Sequence, residues 1–309
     1  MADGRAESPK PGNYGGATYI RSDDAERERA TSDLGSREGC AMLDYVRLRL
    51  PDTEDVWRGL SAWLGAMTAR PFGWRGWYDE SWAVLDGGLV AACSDRDRAE
   101  IEGVLVDLPG RACGVLGDRL LPFVRWALRM GGRVTRADFA LDDRRGLLTR
   151  ERILEAEAEG RLVTRFRGLS YVEKRRRGRV TGWTVYIGSR SSQAFVRVYD
   201  KAAEQGRAGT WVRLELECKG RFAHNLMIEA LDKGARAVVG QINRRLRFVE
   251  AGGDSNRWRW ACCGWWAAFV GDLKAGRSLV CGERPQLTIE GMRAWVERQA
   301  GPTMAAVTM

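Results

Sequence analysis

Three stretches of this chain alternate apolar and charged side chains without a break, and that alternation limits the fold more than any other feature. In Val134–Asp142, Ala137, Phe139 and Leu141 share one side, while Arg136, Asp138 and Asp142 share the other. In Phe195–Tyr199, Val196 and Val198 oppose Arg197 and Tyr199, with Asp200, Lys201 and Glu204 just beyond. In Trp211–Glu217, Val212, Leu214 and Leu216 oppose Arg213, Glu215 and Glu217. Successive side chains of a strand point to opposite faces, so each stretch is a strand with one apolar side. A period of two, rather than a continuous apolar run, is the signature of antiparallel sheet with one packed and one polar face. If the three strands are neighbours, the polar face gathers Asp138, Glu215 and Glu217 around a tyrosine and several arginines.

The remaining elements fit the same plan. Met42–Leu50 alternates as a strand, and Val56, Leu60, Trp63, Leu64 and Met67 recur at helical spacing after Pro51. Residues 72–93 read as a hairpin turning at Asp86-Gly-Gly, and 118–130 as a helix closed by Gly131-Gly132. Thr149 caps a further helix. Strands at 163–173 and 183–188 are joined by the basic run Lys174–Arg179, and two helices follow near 222–233 and 235–248. Strands then helices in this order predict an α+β domain: a curved antiparallel sheet, flanked by helices, over residues 41–250. Residues 251–309 carry Trp258, Trp260, Trp265, Trp266, Phe269, Ile289, Met292 and Trp295 and are expected to form a helical, Trp-rich C-terminal region. Residues 1–40 have almost no large apolar side chains and are expected to be a disordered tail.

Charge and composition exclude several functions. The formal net charge is +9. Residues 1–40 hold six Lys/Arg against eight Asp/Glu, a net of −2, leaving +11 for the rest of the chain. A polyanionic partner fits that balance. His224 is the single histidine. Two-histidine metal sites, facial triads and His-Glu-x-x-His proteases are therefore absent from the menu, and His224 itself reads as structural. The seven cysteines form no Cys-x-x-Cys pair, which points away from zinc ribbons and towards a reducing cytoplasm. No apolar run reaches the roughly 18 residues of a membrane span. Nothing matches the Gly-x-x-x-x-Gly-Lys-Ser/Thr phosphate loop of nucleotide hydrolases.

The side chains on the polar face permit one specific reaction. Phenol is a poor nucleophile unless a cation or a base eases its ionisation. A divalent metal held by Asp138 and Glu215, with Glu217 as a further candidate ligand, would polarise a phosphodiester. All-oxygen ligands select Mg²⁺ or Mn²⁺. Arg197, Arg213 or Lys201 would stabilise the phenolate or the five-coordinate phosphorus. Lys174, Arg175, Arg176, Arg177 and Arg179 form a basic hairpin tip suited to DNA phosphates. The turn Gly188–Ser192, with Arg190, offers backbone N–H groups and a guanidinium to another. A non-catalytic nucleic-acid platform is the competing class. Such platforms place aromatics at mid-strand, whereas these strands place carboxylates there, which repel phosphate unless a metal intervenes.

Four motifs in order, Arg136-x-Asp138-x-Ala-x-Asp142, Thr184-x-Tyr-Ile-Gly188-Ser-Arg-x-Ser192, Arg197-x-Tyr-Asp-Lys-x-x-Glu204 and Arg213-x-Glu215-x-Glu217-x-Lys219-Gly, resemble the replication initiation factor family. That family comprises rolling-circle initiators of filamentous phages and small plasmids, with related conjugative relaxases. The resemblance spans about residues 40–250. It implies an enzyme that nicks one strand at a double-strand origin and stays joined to the 5′ phosphate. A 3′-OH is left for the host polymerase, the displaced single strand is later rejoined, and a host helicase assists. It implies Tyr199 as nucleophile and acidic metal ligands in place of the two-histidine cluster of other initiators. Some relatives carry a second tyrosine where this chain has Ala203, which leaves Tyr186 and Tyr171 as fallback nucleophiles. The bacterial cytoplasm is the expected compartment, a homodimer is an open option, and a conjugative relaxase of the same chemistry is the nearest alternative.

Overall fold

The computed structural model describes residues 40–275 and 279–281. The tail expected over residues 1–40 lies, apart from Cys40, outside the described residues, as do Ile289, Met292 and Trp295. In chain order the elements are β1 (Ala41–Leu50), α1 (Glu54–Leu64), β2 (Thr68–Ala69), β3 (Glu80–Val84), β4 (Gly88–Ala92), α2 (Arg96–Glu102), β5 (Val104–Leu108), α3 (Gly110–Leu116), α4 (Leu120–Arg129), β6 (Arg133–Asp143) and α5 (Arg150–Ala158). There follow β7 (Leu162–Thr164), β8 (Leu169–Arg176), β9 (Arg179–Ile187), β10 (Ala194–Asp200), α6 (Lys201–Glu204), β11 (Val212–Lys219), α7 (Gly220–Lys233), α8 (Ala235–Asn243), β12 (Leu246–Phe248), α9 (Gly264–Ala275) and β13 (Leu279–Cys281).

One large sheet runs β2-β3-β4-β5-β1-β6-β11-β10-β9-β8, every step antiparallel, and β13 adds to β1 in parallel. A second, two-stranded sheet pairs β7 with β12. This is the α+β architecture expected from the alternating strands, and the three strands that carry the pattern, β6, β11 and β10, are adjacent. Their apolar sides bury Phe139, Leu141, Val196, Val198, Leu214 and Leu216 completely or nearly so. Each such side chain contributes about 1.5–3 kcal/mol when taken out of water. Helix α7 covers β6 and β11 through Ala223, Leu226, Met227 and Ala230, and α8 packs on α7.

Two register shifts explain where the simple alternation breaks. Arg136 pairs with Arg47 and Val134 with Leu48, so Thr135 is the extra residue. That bulge returns Val134 to the packed face although its parity is wrong. On β1, Leu43 pairs with Phe139 and Tyr45 with Asp138, so Asp44 is the extra residue. A bulge re-aims the residue it inserts, and here it sends the Asp44 carboxylate towards Arg213, 3.2 Å away.

The basic connection between β8 and β9 is tighter than the sequence suggests. Strand β8 continues through Lys174, Arg175 and Arg176, and β9 begins at Arg179. Only Arg177 and Gly178 turn, both at positive φ (50° and 78°). Two successive residues at positive φ define the turn that matches strand twist in a two-residue hairpin. The described part of the Trp-rich region packs back onto the sheet domain. Trp266 is buried against Phe248 with ring centroids 5.1 Å apart and donates its indole N–H to Asn243 Oδ1 at 3.2 Å.

Candidate active site on the polar sheet face

The pairing register builds the site. Arg197 lies opposite Glu215, Tyr199 opposite Arg213, and Glu217 opposite Asp138. The side chains that the alternation assigns to the polar side therefore meet across β10, β11 and β6. Tyr199 donates its hydroxyl to Glu215 Oε1 at 2.6 Å. Arg197 forms an ion pair with the other oxygen of Glu215 and lies 3.9 Å from Asp138 Oδ2. Arg136 holds Asp138 through two hydrogen bonds, 2.9 and 2.7 Å long, and reaches Glu217 at 2.8 Å. Lys219 pairs with the second oxygen of Glu217 at 2.9 Å. Three carboxylates and three cations thus alternate along the face, beginning at the tyrosine.

The face is polar, but its acidic groups are covered. Asp138 is 2% exposed, Glu215 1%, Glu217 7% and Tyr199 8%. The long side chains of Arg136 and Arg197 carry the remaining exposure. Burial raises the Asp138 carboxyl to about 6, although Arg136 pulls it down. Burial, reinforced by the Glu215 charge, raises the Tyr199 phenol well above its ordinary range. As drawn, the phenol is neutral, and its proton has one acceptor in place, Glu215.

A cleft of about 240 Å³ opens beside the tyrosine, lined among others by Tyr199, Arg197, Tyr186, Lys174, Ala203 and Glu204. Lys174 therefore borders the cleft, whereas Arg176, Arg177 and Arg179 are exposed on the hairpin beyond it, and Arg175 is tied to Glu173 at 2.8 Å. Arg190 lies over the Tyr186 ring, 5.1 Å from its centroid. Tyr186 stands opposite Arg197, on the same face as Tyr199. Tyr171 alternates to the other face with Leu169 and Glu173, and its hydroxyl is engaged by Glu173, so it is remote from the carboxylates. Lys201 pairs with Glu204, and its ammonium lies 5.6 Å from the Tyr199 ring centroid.

Arg213 is tied to two carboxylates. It is 3% exposed, holds Asp142 at 2.6 and 2.9 Å and reaches the bulged Asp44 at 3.2 Å. Neither carboxylate lines the cleft, and the Arg213 charge, opposite Tyr199, works against burial to ease ionisation of the phenol. Asp44, Tyr45 and Arg47 escaped the reading of the sequence. Arg136 stacks 4.1 Å over the Tyr45 ring, and Arg47 bonds both the Tyr45 hydroxyl at 2.6 Å and Asp107 at 2.9 Å. Tyr45 and Arg47 alternate in β1 like the residues of the other three strands, a signal that was present. The bulge that turns Asp44 was not readable.

The three acids are hard oxygen donors from two adjacent strands, which suits Mg²⁺ or Mn²⁺. Among the described residues, no three Asp, Glu, His or Cys side chains are already arranged around one point. Guanidinium groups stand between the carboxylates instead. The chemistry of the donors suits such an ion, while Arg197 stands between Glu215 and Asp138 and Arg136 between Asp138 and Glu217.

An alternating antiparallel sheet with a tyrosine, carboxylates and arginines on its polar face defines a candidate phosphoryl-transfer site. Residues 132–309 match the family model described as replication initiation factor, and the chain belongs to that family. It is 28% identical over 292 residues to the putative DNA relaxase NicK of Bacillus subtilis, an alignment covering 86% of this chain and 80% of that protein. The rolling circle replication initiator protein of Geobacillus stearothermophilus shares the fold, with a TM-score of 0.67 and 20% identity, over 78% of this chain and 99% of the other.

Proposed function

We propose that this replication initiation factor nicks one strand of DNA by attack of Tyr199 on a phosphodiester, and that it later rejoins the strand. The hydrogen bond from the Tyr199 hydroxyl to Glu215 supports this most directly, because it joins the nucleophile to a base at 2.6 Å. In the proposed step the phenolic proton passes to Glu215. The phenolate oxygen bonds to phosphorus, the bond from phosphorus to the 3′ oxygen breaks, and that oxygen takes up a proton to become a 3′-OH. The energy of the broken bond is kept in the phosphotyrosine for rejoining. Arg197 and Lys201 flank the tyrosine ring and oppose the charge that builds there. Asp138 and Glu217, with the Glu215 oxygen that does not face the phenol, are the residues that would hold a Mg²⁺ or Mn²⁺ ion. Such an ion would neutralise charge on the phosphoryl oxygens.

Lys174, Arg176, Arg177 and Arg179 are positioned for phosphate contacts with the DNA entering the cleft, and Arg190 borders the same face through Tyr186. Because Arg136, Arg197 and Lys219 already neutralise the three acids, phosphate can approach the face without facing bare carboxylates. The origin duplex and the displaced strand are the proposed DNA partners, with host helicase and polymerase acting afterwards. Cys93, Cys218, Cys262 and Cys263 are reduced thiols, and among the described residues no helix is long and apolar enough to cross a membrane. The bacterial cytoplasm is the proposed compartment. A conjugative relaxase of the same chemistry is a second reading, favoured by the alignment with NicK.

Supercoiled plasmid carrying this protein's gene and its flanking DNA, incubated with the protein and Mn²⁺, tests the proposal. Nicked circles and a protein–DNA adduct stable to detergent are expected. Relaxation with no covalent adduct would refute tyrosine attack.

A further inference from the structure

The arginines of the sheet face are neutralised by carboxylates, but four others are gathered with none. On the opposite side of the sheet, a recess of about 590 Å³ is lined by Arg165, Arg167, Arg244, Arg245, Ser189 and Ser192. No Asp or Glu lines it. Among the described residues, none of these four arginines forms an ion pair. The fold assembles the cluster from distant segments. Strand β7 pairs with β12, and the Arg165 N–H donates to the Arg245 carbonyl at 2.9 Å, while Thr164 Oγ1 donates to the same carbonyl at 3.0 Å. Residues 80 positions apart thereby present their guanidinium groups together. Burial, with the charges of Arg165 and Arg244 nearby, lowers Arg245 below its ordinary value, as expected where cations lack a counter-ion.

The third wall is the turn Gly188–Ser192. Gly188 takes φ +100°, and a Cβ there would meet Phe166 at 2.9 Å. The turn therefore requires glycine, and it sets Ser189 and Ser192 at the rim. The recess offers no open aromatic face. Arg245 lies over Phe222 at 4.2 Å, and Phe166 is packed against Gly188. Single strands are held by stacking bases on aromatic rings, whereas sequence-independent positioning on a duplex uses arginines and hydroxyls on phosphates.

We propose that this four-arginine recess is a second DNA site, which binds backbone phosphates of the duplex flanking the nick. The inference rests on the nicking function proposed for the other face. The recess lies at the Ala194 end of β10, five residues from Tyr199. Along the strand, at about 3.3 Å per residue, that offset is roughly 17 Å, about five base-pair steps at 3.4 Å each, and the recess is reached by passing around the Gly188–Ser192 turn to the other face. It holds the duplex in register while Tyr199 works on one strand.

The test is the double variant Arg165→Gln, Arg244→Gln, whose side chains are both exposed. Binding of a fluorescein-labelled mixed-sequence 30-base-pair duplex is followed by anisotropy across a salt series. Losing two phosphate contacts lowers the slope of log K against log salt by about 1.8, which is about 60-fold in affinity at 0.1 M salt if binding at 1 M is unchanged. Arg58→Gln, Arg96→Gln on helices α1 and α2 removes the same charge and should leave the slope near wild type. The recess variant should still cleave a single-stranded oligonucleotide spanning the mapped nick at the wild-type rate. An unchanged duplex slope, or an equal loss for single strands, would overturn the proposal. The binding measurement needs no cleavage, so its outcome stands even if Tyr199 proves not to nick DNA.

Discussion

Replacing Glu215 by Gln keeps the shape of the side chain and removes its charge, and the structure sets the size of the effect. Glu215 is 1% exposed, accepts the Tyr199 hydroxyl and is paired with Arg197. The charge-assisted bond from the phenol weakens to a neutral one, a loss of about 1 kcal/mol. Breaking a fully buried ion pair costs about 3–5 kcal/mol, but the Arg197 side chain is 30% exposed and keeps Asp138 nearby. A total loss of roughly 2–3 kcal/mol in stability is therefore expected once solvent screening is allowed for. The catalytic loss should be larger. Removal of a positioned general base costs about 10²–10⁴ in rate, or roughly 3–5 kcal/mol of barrier. Stability is read from urea melts, and chemistry from single-turnover nicking of supercoiled plasmid. Wild-type nicking by a folded Glu215→Gln protein would refute the assignment of Glu215 as the proton acceptor.

Three further outcomes follow from the same face. Arg213→Ala should destabilise the fold by about 3–5 kcal/mol, because it leaves Asp142 and the bulged Asp44 unpaired; an Arg213→Ala protein with a wild-type melt and lost nicking would instead make Arg213 catalytic. Chelation by EDTA should abolish nicking while duplex binding survives, and Mn²⁺ should restore it. Because burial raises the Asp138 carboxyl to about 6, protons compete with the ion there. The Mn²⁺ needed for half-maximal nicking should rise as pH falls below 6 and level off above it; a pH-independent requirement would remove Asp138 from the ligand set.

Much of this could be read in the sequence because it is local. Alternation in β6, β10 and β11 is a property of a few consecutive residues, and it fixes which side chains share a face. That these strands are neighbours in the order β6-β11-β10 follows from long-range pairing and is not written in any one of them. What the chain concealed were departures from regularity. The inserted Asp44 and Thr135 shift register by one residue each, and nothing in their types announces a bulge. Arg213 looked like its neighbours Glu215 and Glu217 by period, yet its partner Asp44 comes from a strand some 170 positions earlier. The covering of the acidic groups was equally hidden, because it depends on Arg136 and Arg197 lying over a sheet whose register must first be known. The arginine recess required β7 and β12 to pair across 80 residues, and only the Gly188–Ser192 turn hinted at it.

The most direct measurement is the chemical identity of the residue that carries DNA. Nicking of the plasmid, nuclease trimming of the adduct and tandem mass spectrometry of its peptides will locate the attached nucleotide. The account predicts a 5′-linked nucleotide on Tyr199, and no adduct from Tyr199→Phe. A nucleotide on Tyr186, or an adduct that survives Tyr199→Phe, would contradict it.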